Sequence, residues 1–158
     1  MSYLKYSLGD IVKEIKLPDS NGVLTDALNS KNIKIIYFYP KDNTKGCTTE
    51  ALDFTSKVKD FKKYNTVIYG ISPDEEKKHF NFIAKNNLKI TLLSDTEKKI
   101  LNEFGVWQKK KLYGKEYMGV IRTTILIDEN NKIIKIWEKV NVKNHVEEVL
   151  NFIKEMKQ

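Results

Sequence analysis

The chain has 158 residues, 41% of them hydrophobic, with a formal charge of +7 and a single cysteine. That length suits one domain over residues 1–158 with a core of its own, and a lone cysteine excludes an intramolecular disulfide or a cysteine-rich zinc cluster. The positive balance would suit an anionic partner, but Arg122 is the only arginine and the lysines are dispersed among acids, so the planar fork that reads guanine is nearly absent and nucleic-acid binding is not expected.

In chain order, an N-terminal segment turns at Asp19-Ser20-Asn21-Gly22 and leads to Ile33-Lys34-Ile35-Ile36-Tyr37-Phe38-Tyr39, an apolar run that reads as a core strand. Pro40 ends it, and Thr48 to Tyr64 reads as an amphipathic helix. Thr66 to Ser72 is a second core strand. Ser72-Pro73-Asp74-Glu75 then has the form of a capping box with proline in the first turn, opening a helix whose apolar face is Phe80, Ile83, Ala84 and Leu88. Lys89 to Leu93 is a short apolar run. A second capping box, Ser94-Asp95-Thr96-Glu97, precedes Ile100, Leu101 and Phe104 and a stop at Gly105.

Thr123–Ile127 and Lys132–Trp137 flank the polar turn Asp128-Glu129-Asn130-Asn131 and read as a β-hairpin. Val142, Val146, Val149, Leu150 and Ile153 recur at helical spacing, which predicts a C-terminal docking helix. The alternation gives an α/β layered domain, with a thioredoxin-like arrangement and a small doubly wound sheet ranked close together. Met1 to Tyr6 lacks an apolar h-region, and no apolar run reaches the roughly 20 residues that span a bilayer. A soluble, cytoplasmic protein without membrane contact is expected.

The chemistry concentrates at Cys47. It falls where the first core strand runs into a helix, so its sulfur meets unpaired backbone N–H groups and the positive end of the helix dipole, which favour a thiolate. Thr44, three residues earlier, either caps the helix with its hydroxyl or lies beside the sulfur as donor and acceptor. Gly46 permits close approach of backbone to a small substrate. Glu50, one turn on, either orients a distant cation or supports the helix dipole, and Arg122 at the start of the late strand is a permanent planar cation of the kind such a site uses. No second cysteine stands at C-x-x-C spacing, so dithiol exchange within the chain is excluded.

Phe38-Tyr39-Pro40-Lys41-Asp42-Asn43-Thr44 followed by Gly46-Cys47-Thr48-Thr49-Glu50 resembles the active-site motif Pro-x-x-x-Thr-x-x-Cys of the peroxiredoxins, and within them the bacterioferritin comigratory protein or peroxiredoxin Q branch. A second block, Gly105-Val106-Trp107 to Tyr113-Gly114-Lys115-Glu116-Tyr117-Met118-Gly119 and then Arg122-Thr123-Thr124, resembles that branch's later signature. The resemblance implies a thioredoxin-like fold, a central mixed sheet flanked by helices, and reduction of hydrogen peroxide and organic hydroperoxides without cofactor or metal. It makes Cys47 the peroxidatic cysteine, with Pro40, Thr44 and Arg122 as catalytic partners and Glu50 and Gly46 in support.

Leu52 stands where many members of that branch have a resolving cysteine. The chain is therefore a one-cysteine variant, whose sulfenic acid needs an external thiol: thioredoxin, glutaredoxin or a low-molecular-weight thiol. The branch favours a monomer, with a Cys47–Cys47 dimer as an oxidised alternative. A redox-sensing interaction protein that signals through Cys47 is the second reading. Phe38 and Trp107 are candidate lining residues of a substrate mouth. His79 and His145, the only histidines, lie on separate helices without a carboxylate-ligand pattern and are expected to be exposed, which leaves no metal site. Lys109-Lys110-Lys111 reads as a solvated loop.

Overall fold

The computed structural model describes residues 2–158. Its centre is a five-stranded mixed sheet in the order β5-β4-β3-β8-β9. The strands are β3 (Ile33–Phe38), β4 (Thr66–Ser72), β5 (Thr91–Ser94), β8 (Thr123–Ile127) and β9 (Ile133–Trp137). β3 pairs parallel with β4, and β4 with β5, while β8 runs antiparallel to both β3 and β9. β1 (Lys16–Pro18) and β2 (Leu24–Asp26) form a small antiparallel ribbon around the turn foreseen at Asp19.

β3 is the middle strand and is buried at every position, as a strand covered on both faces must be. Its period of two divides the core. Ile33, Ile35, Tyr37 and Tyr39 face one way, against Ala51 and Phe54 of α1 (Lys45–Ser56), Phe61 of α2 (Val58–Lys63), Phe82 of α3 (Glu76–Asn86), and Val149 and Ile153 of α5 (His145–Met156). Ile36 and Phe38 face the other way, against Leu101 and Phe104 of α4 (Lys99–Phe104) and the N-terminal Val12 and Ile15. Among the described residues no helix is long and apolar enough to cross a membrane.

Several elements differ from the sequence expectation. The helix expected over Thr48–Tyr64 is two helices, broken at Lys57, where the Ser56 hydroxyl donates to the Asp53 carbonyl and draws the backbone out of the helical ladder. The box at Ser72–Glu75 does not form: Ser72 donates to Asp74, and α3 begins at Glu76. The second box is replaced by Asp95, whose carboxylate accepts from the Lys99 and Leu101 amides. α3 is rotated so that His79 and Phe82 are buried while Phe80 and Ala84 are exposed. Lys109-Lys110-Lys111 is strand, not loop: β6 (Trp107–Leu112) pairs with β7 (Lys115–Val120) in a ribbon whose polar pairs, such as Lys109 with Glu116 at 3.2 Å, suit its solvent exposure.

Gly70 in β4 lies opposite Tyr37 in the register. A Cβ there would stand 2.7 Å from the Tyr37 ring and 2.8 Å from Leu92, closer than packed atoms allow. Gly70→Ala is therefore expected to lower stability by about 1–3 kcal/mol through overpacking, read by urea denaturation; an unchanged midpoint would show that Tyr37 can step aside.

Candidate active site

β3 ends at Phe38, the Tyr39 amide makes one more bond to the Ile71 carbonyl at 3.1 Å, and half-buried Pro40 then stops the ladder. Asn43 turns the chain with a φ of 64°, and Thr44 is the N-cap of α1. Cys47 is thus the third residue of the helix, where the first backbone N–H groups have no intrahelical partner. The sulfur is buried, with only 1% exposure.

Arg122 reaches it through sheet register. β3 and β8 are antiparallel with Phe38 opposite Thr123, so the residue before β8 stands beside the segment that follows β3. The guanidinium spans two groups: Nη2 donates to Cys47 Sγ at 3.3 Å, and Nη1 donates to Glu50 Oε1 at 2.6 Å. Burial pulls the guanidinium pKa down, but the charges of Glu50 and Cys47 more than offset this, leaving it above its ordinary value. Gly46 makes room for the contact, since a Cβ there would stand 3.3 Å from Arg122 Nη2. Of the two sequence roles for Glu50, this geometry realises the first: it holds the arginine.

Thr44 does not cap the helix with its side chain. Its hydroxyl, exposed, donates to the Lys41 carbonyl at 2.9 Å, which leaves the oxygen's lone pairs free to accept. Phe38 is a correction. It is fully buried in the core on the far side of the sheet from Cys47, 5.2 Å from the Phe104 ring, because successive strand residues alternate faces; it lines no mouth. Trp107 is half-buried at the start of β6, with Lys98 Nζ 5.5 Å from its ring centre. Leu52 is exposed on α1.

Both histidines are buried, contrary to expectation. His145 Nε2 lies 2.8 Å from Thr124 Oγ1, and burial, helped by the charge of Arg122, pushes its pKa down to about 4. His79 meets Asp42 and lies with Asp74 in one buried group that could offer ligand atoms to an ion; Asp42 is 37 positions from His79, too far for spacing to reveal the group. Lys110 Nζ folds back to the Val120 carbonyl at 3.1 Å, near enough to Arg122 and Cys47 for their charges to act on it.

Glu50 is fully buried, and burial raises its pKa to about 7 against the attraction of Arg122. Glu50 Oε2 and the Tyr37 hydroxyl are buried without hydrogen-bond partners. The site therefore places two ionisable acids, a thiol and a carboxyl, on one guanidinium. Chemically, it can stabilise a thiolate and donate hydrogen bonds to an oxygen that gains charge beside the sulfur.

Residues 8–136 match the AhpC/TSA family. The chain is 47% identical to peroxiredoxin Bcp of Bacillus subtilis strain 168 over 148 residues, covering 94% of this chain and 88% of the relative. It is 36% identical to peroxiredoxin Bcp of Escherichia coli strain K12, over 93% and 95% of the two chains. Among solved structures, a cysteine-to-serine mutant of Xylella fastidiosa PrxQ superposes with a TM-score of 0.91 at 32% identity, over 96% of this chain and 98% of that one. The Xanthomonas campestris bacterioferritin comigratory protein, studied for alkyl peroxide reduction, superposes at 0.85 with 35% identity, over 94% and 100%. The fold is thioredoxin-like, with the central mixed sheet between helices.

Glu50 and His145 give the stability a testable pH signature. A carboxyl raised from 4.5 to about 7 contributes stability that is complete below pH 4.5 and lost as pH rises through 7. An imidazole lowered from 6.5 to about 4 contributes stability that is complete above pH 6.5 and lost as pH falls towards 4. The two slopes oppose each other between these limits. Relative to the parent, Glu50→Gln is expected to lose, and His145→Gln to gain, up to about 3 kcal/mol on acidification across that window. Urea unfolding at several pH values checks this, and parallel pH dependences in all three proteins would contradict it.

Proposed function

The chain belongs to the AhpC/TSA family and, within it, to the peroxiredoxins of the bacterioferritin comigratory protein and peroxiredoxin Q type; on that premise we propose that Cys47 is its peroxidatic nucleophile, with Arg122, Thr44 and Pro40 as its partners. The protein is a thiol-dependent peroxidase. Over residues 1–158 it acts as one domain on hydrogen peroxide and organic hydroperoxides. The observation that carries the assignment is the Arg122 Nη2 donor 3.3 Å from Cys47 Sγ.

In this reading the Cys47 thiolate attacks one peroxide oxygen, the O–O bond breaks, and the departing oxygen leaves with the electron pair and takes up a proton as water or an alcohol. Cys47 is left as a sulfenic acid. The cation that favours the thiolate is also positioned for the charge on the departing oxygen, so Arg122 acts before and during the transition state. Thr44 offers its free lone pairs to the peroxide hydrogen. Pro40 fixes the strand exit, and Gly46 keeps the approach of Arg122 open.

Resolution comes from outside. An external thiol displaces the sulfenic oxygen as water and forms a mixed disulfide, and a second thiol releases Cys47 as thiol with a disulfide as product. Such reductants, whether thioredoxin, glutaredoxin or a low-molecular-weight thiol, are kept reduced in the cytoplasm, and this reading puts the protein there. The working form is a monomer; at 1% exposure a Cys47–Cys47 bridge needs α1 to open in both chains. The same burial favours, as a second reading, a sensor that holds the sulfenic acid for a partner.

Stopped-flow mixing with peroxide should oxidise Cys47 stoichiometrically and far faster than a free thiol, and Cys47→Ser should abolish the reaction. Arg122→Leu is expected to slow that step by about 10²–10³-fold with a retained fold, because burial keeps an unpaired Glu50 protonated. Rates in the range of ordinary thiols, or an unaffected Arg122 variant, would overturn the assignment. Rapid turnover with a panel of thiols separates the peroxidase from the sensor.

A further inference from the structure

The three consecutive lysines of β6 do not share one environment. Lys109 and Lys111 are exposed, whereas Lys110 between them is half-buried. Successive strand residues alternate faces, so Lys110 lies on the face it shares with Gly119 and with Tyr117, its partner in the register. Lys109 is turned the other way, toward Glu116 at 3.2 Å. Among the described residues no carboxylate lies within ion-pair distance of Lys110.

Its ammonium donates instead to the Val120 carbonyl at 3.1 Å, and Arg122 follows in the same segment. The stem runs across Gly119, where a Cβ would stand 3.1 Å from Lys110 Cδ and 3.3 Å from the Tyr117 ring. The glycine therefore lets the lysine lie along the ribbon toward the site, with Nζ 5.9 Å from the centre of the Tyr117 ring.

This is a costly place for an ammonium. Burial lowers its pKa, the charge of Arg122 lowers it further, and the charge of Cys47 acts in the opposite sense. A flexible lysine on an exposed ribbon would relieve both costs by turning to water, as its neighbours do. A cation kept near another cation, without a carboxylate of its own, is the kind of arrangement that functional sites impose.

The charge balance around the sulfur shows what it is for. Arg122 approaches from the start of β8 and Glu50 from α1. Tyr37 faces the same region from β3, but burial raises its pKa well above the ordinary value and keeps the hydroxyl neutral. Asp42, whose charge also acts on Tyr37, is paired with His79 at 2.6 Å, and His145 on α5 is neutral above about 4. One guanidinium therefore faces the thiolate, Glu50 whenever it is ionised, and the oxygen that gains charge as the O–O bond breaks. A further positive charge, set back at the Val120 carbonyl, offsets the excess.

We propose that Lys110 is an outer cation of the Cys47 site: held at the Val120 carbonyl, its ammonium supports the thiolate and the charge on the departing peroxide oxygen without a bond to either. This rests on the peroxidatic assignment of Cys47. The step it favours is attack of the sulfur on one peroxide oxygen: the S–O bond forms, the O–O bond breaks, and the departing oxygen keeps the electron pair and is protonated by solvent. Lys110 keeps its own protons and contributes charge alone.

Two second-order rates on the full-length chain test this: oxidation of Cys47 by hydrogen peroxide and alkylation of Cys47 by iodoacetamide. At neutral pH, Lys110→Gln is expected to slow both by about three- to tenfold, and Lys110→Arg, which keeps the charge, to stay within about twofold of the parent. Lys109→Gln and Lys111→Gln remove the same charge from the exposed face and are expected to change neither rate by more than about twofold. As pH rises, the alkylation deficit of Lys110→Gln should close, because base ionises the thiol unaided. The peroxide deficit should persist in part, because the oxygen's charge forms only in the transition state.

Parent-like rates in Lys110→Gln would overturn the proposal. So would equal losses in Lys109→Gln and Lys111→Gln, which mark an effect of net charge, or a deficit that is the same at every pH in both reactions, which marks a structural disturbance. Alkylation reads the cation without peroxide. An alkylation rate that depends on Lys110, in a protein whose peroxide reaction is that of an ordinary thiol, would refute the peroxidase assignment and leave the support of the thiolate standing.

Discussion

The guanidinium of Arg122 is the point on which the site depends. It faces a buried sulfur and a buried carboxylate at once, and a single positive charge cannot fully neutralise both. Burial answers part of that imbalance by raising Glu50 to about 7, which favours its neutral form. A lysine would serve poorly: its N–H groups radiate from one nitrogen, whereas the guanidinium reaches Sγ and Oε1 from two separate nitrogens held in one plane. The lone arginine in a lysine-rich chain thus has a geometric reason.

The fold exists to bring this contact about from residues 75 positions apart. β3 delivers Pro40 and the helix start, β8 runs back beside it, and the register sets Arg122 next to the loop. The packing around that junction is tight on both sides. Gly46 clears the arginine, and Gly70 clears the Tyr37 ring, whose hydroxyl ends in the same buried polar region as Glu50 and Cys47. His145 approaches from α5 as a neutral imidazole, which avoids a second cation beside Arg122.

Strand β4, the β8–β9 hairpin and the docking face of α5 were legible because burial imposes a simple period on them. Cys47, Pro40, Thr44, Gly46 and Glu50 were legible as a contiguous motif, and Arg122 through its rarity. What sequence hid was long-range. On α3 a buried, hydrogen-bonded His79 takes the core-facing place while Phe80 is exposed, and no hydropathy pattern counts a histidine as an anchor. Phe38 lines no mouth because neighbouring strand residues face opposite ways, which turns it into the core on the far side of the sheet from Cys47. The β6–β7 ribbon was hidden by a lysine run that carries no period at all.

Intact mass and peptide mapping after one equivalent of hydrogen peroxide test the central claim most directly. The account predicts a single added oxygen on Cys47, converted by an external thiol first to a mixed disulfide and then back to the thiol. An unmodified Cys47, or oxygen found on methionine instead, would contradict it.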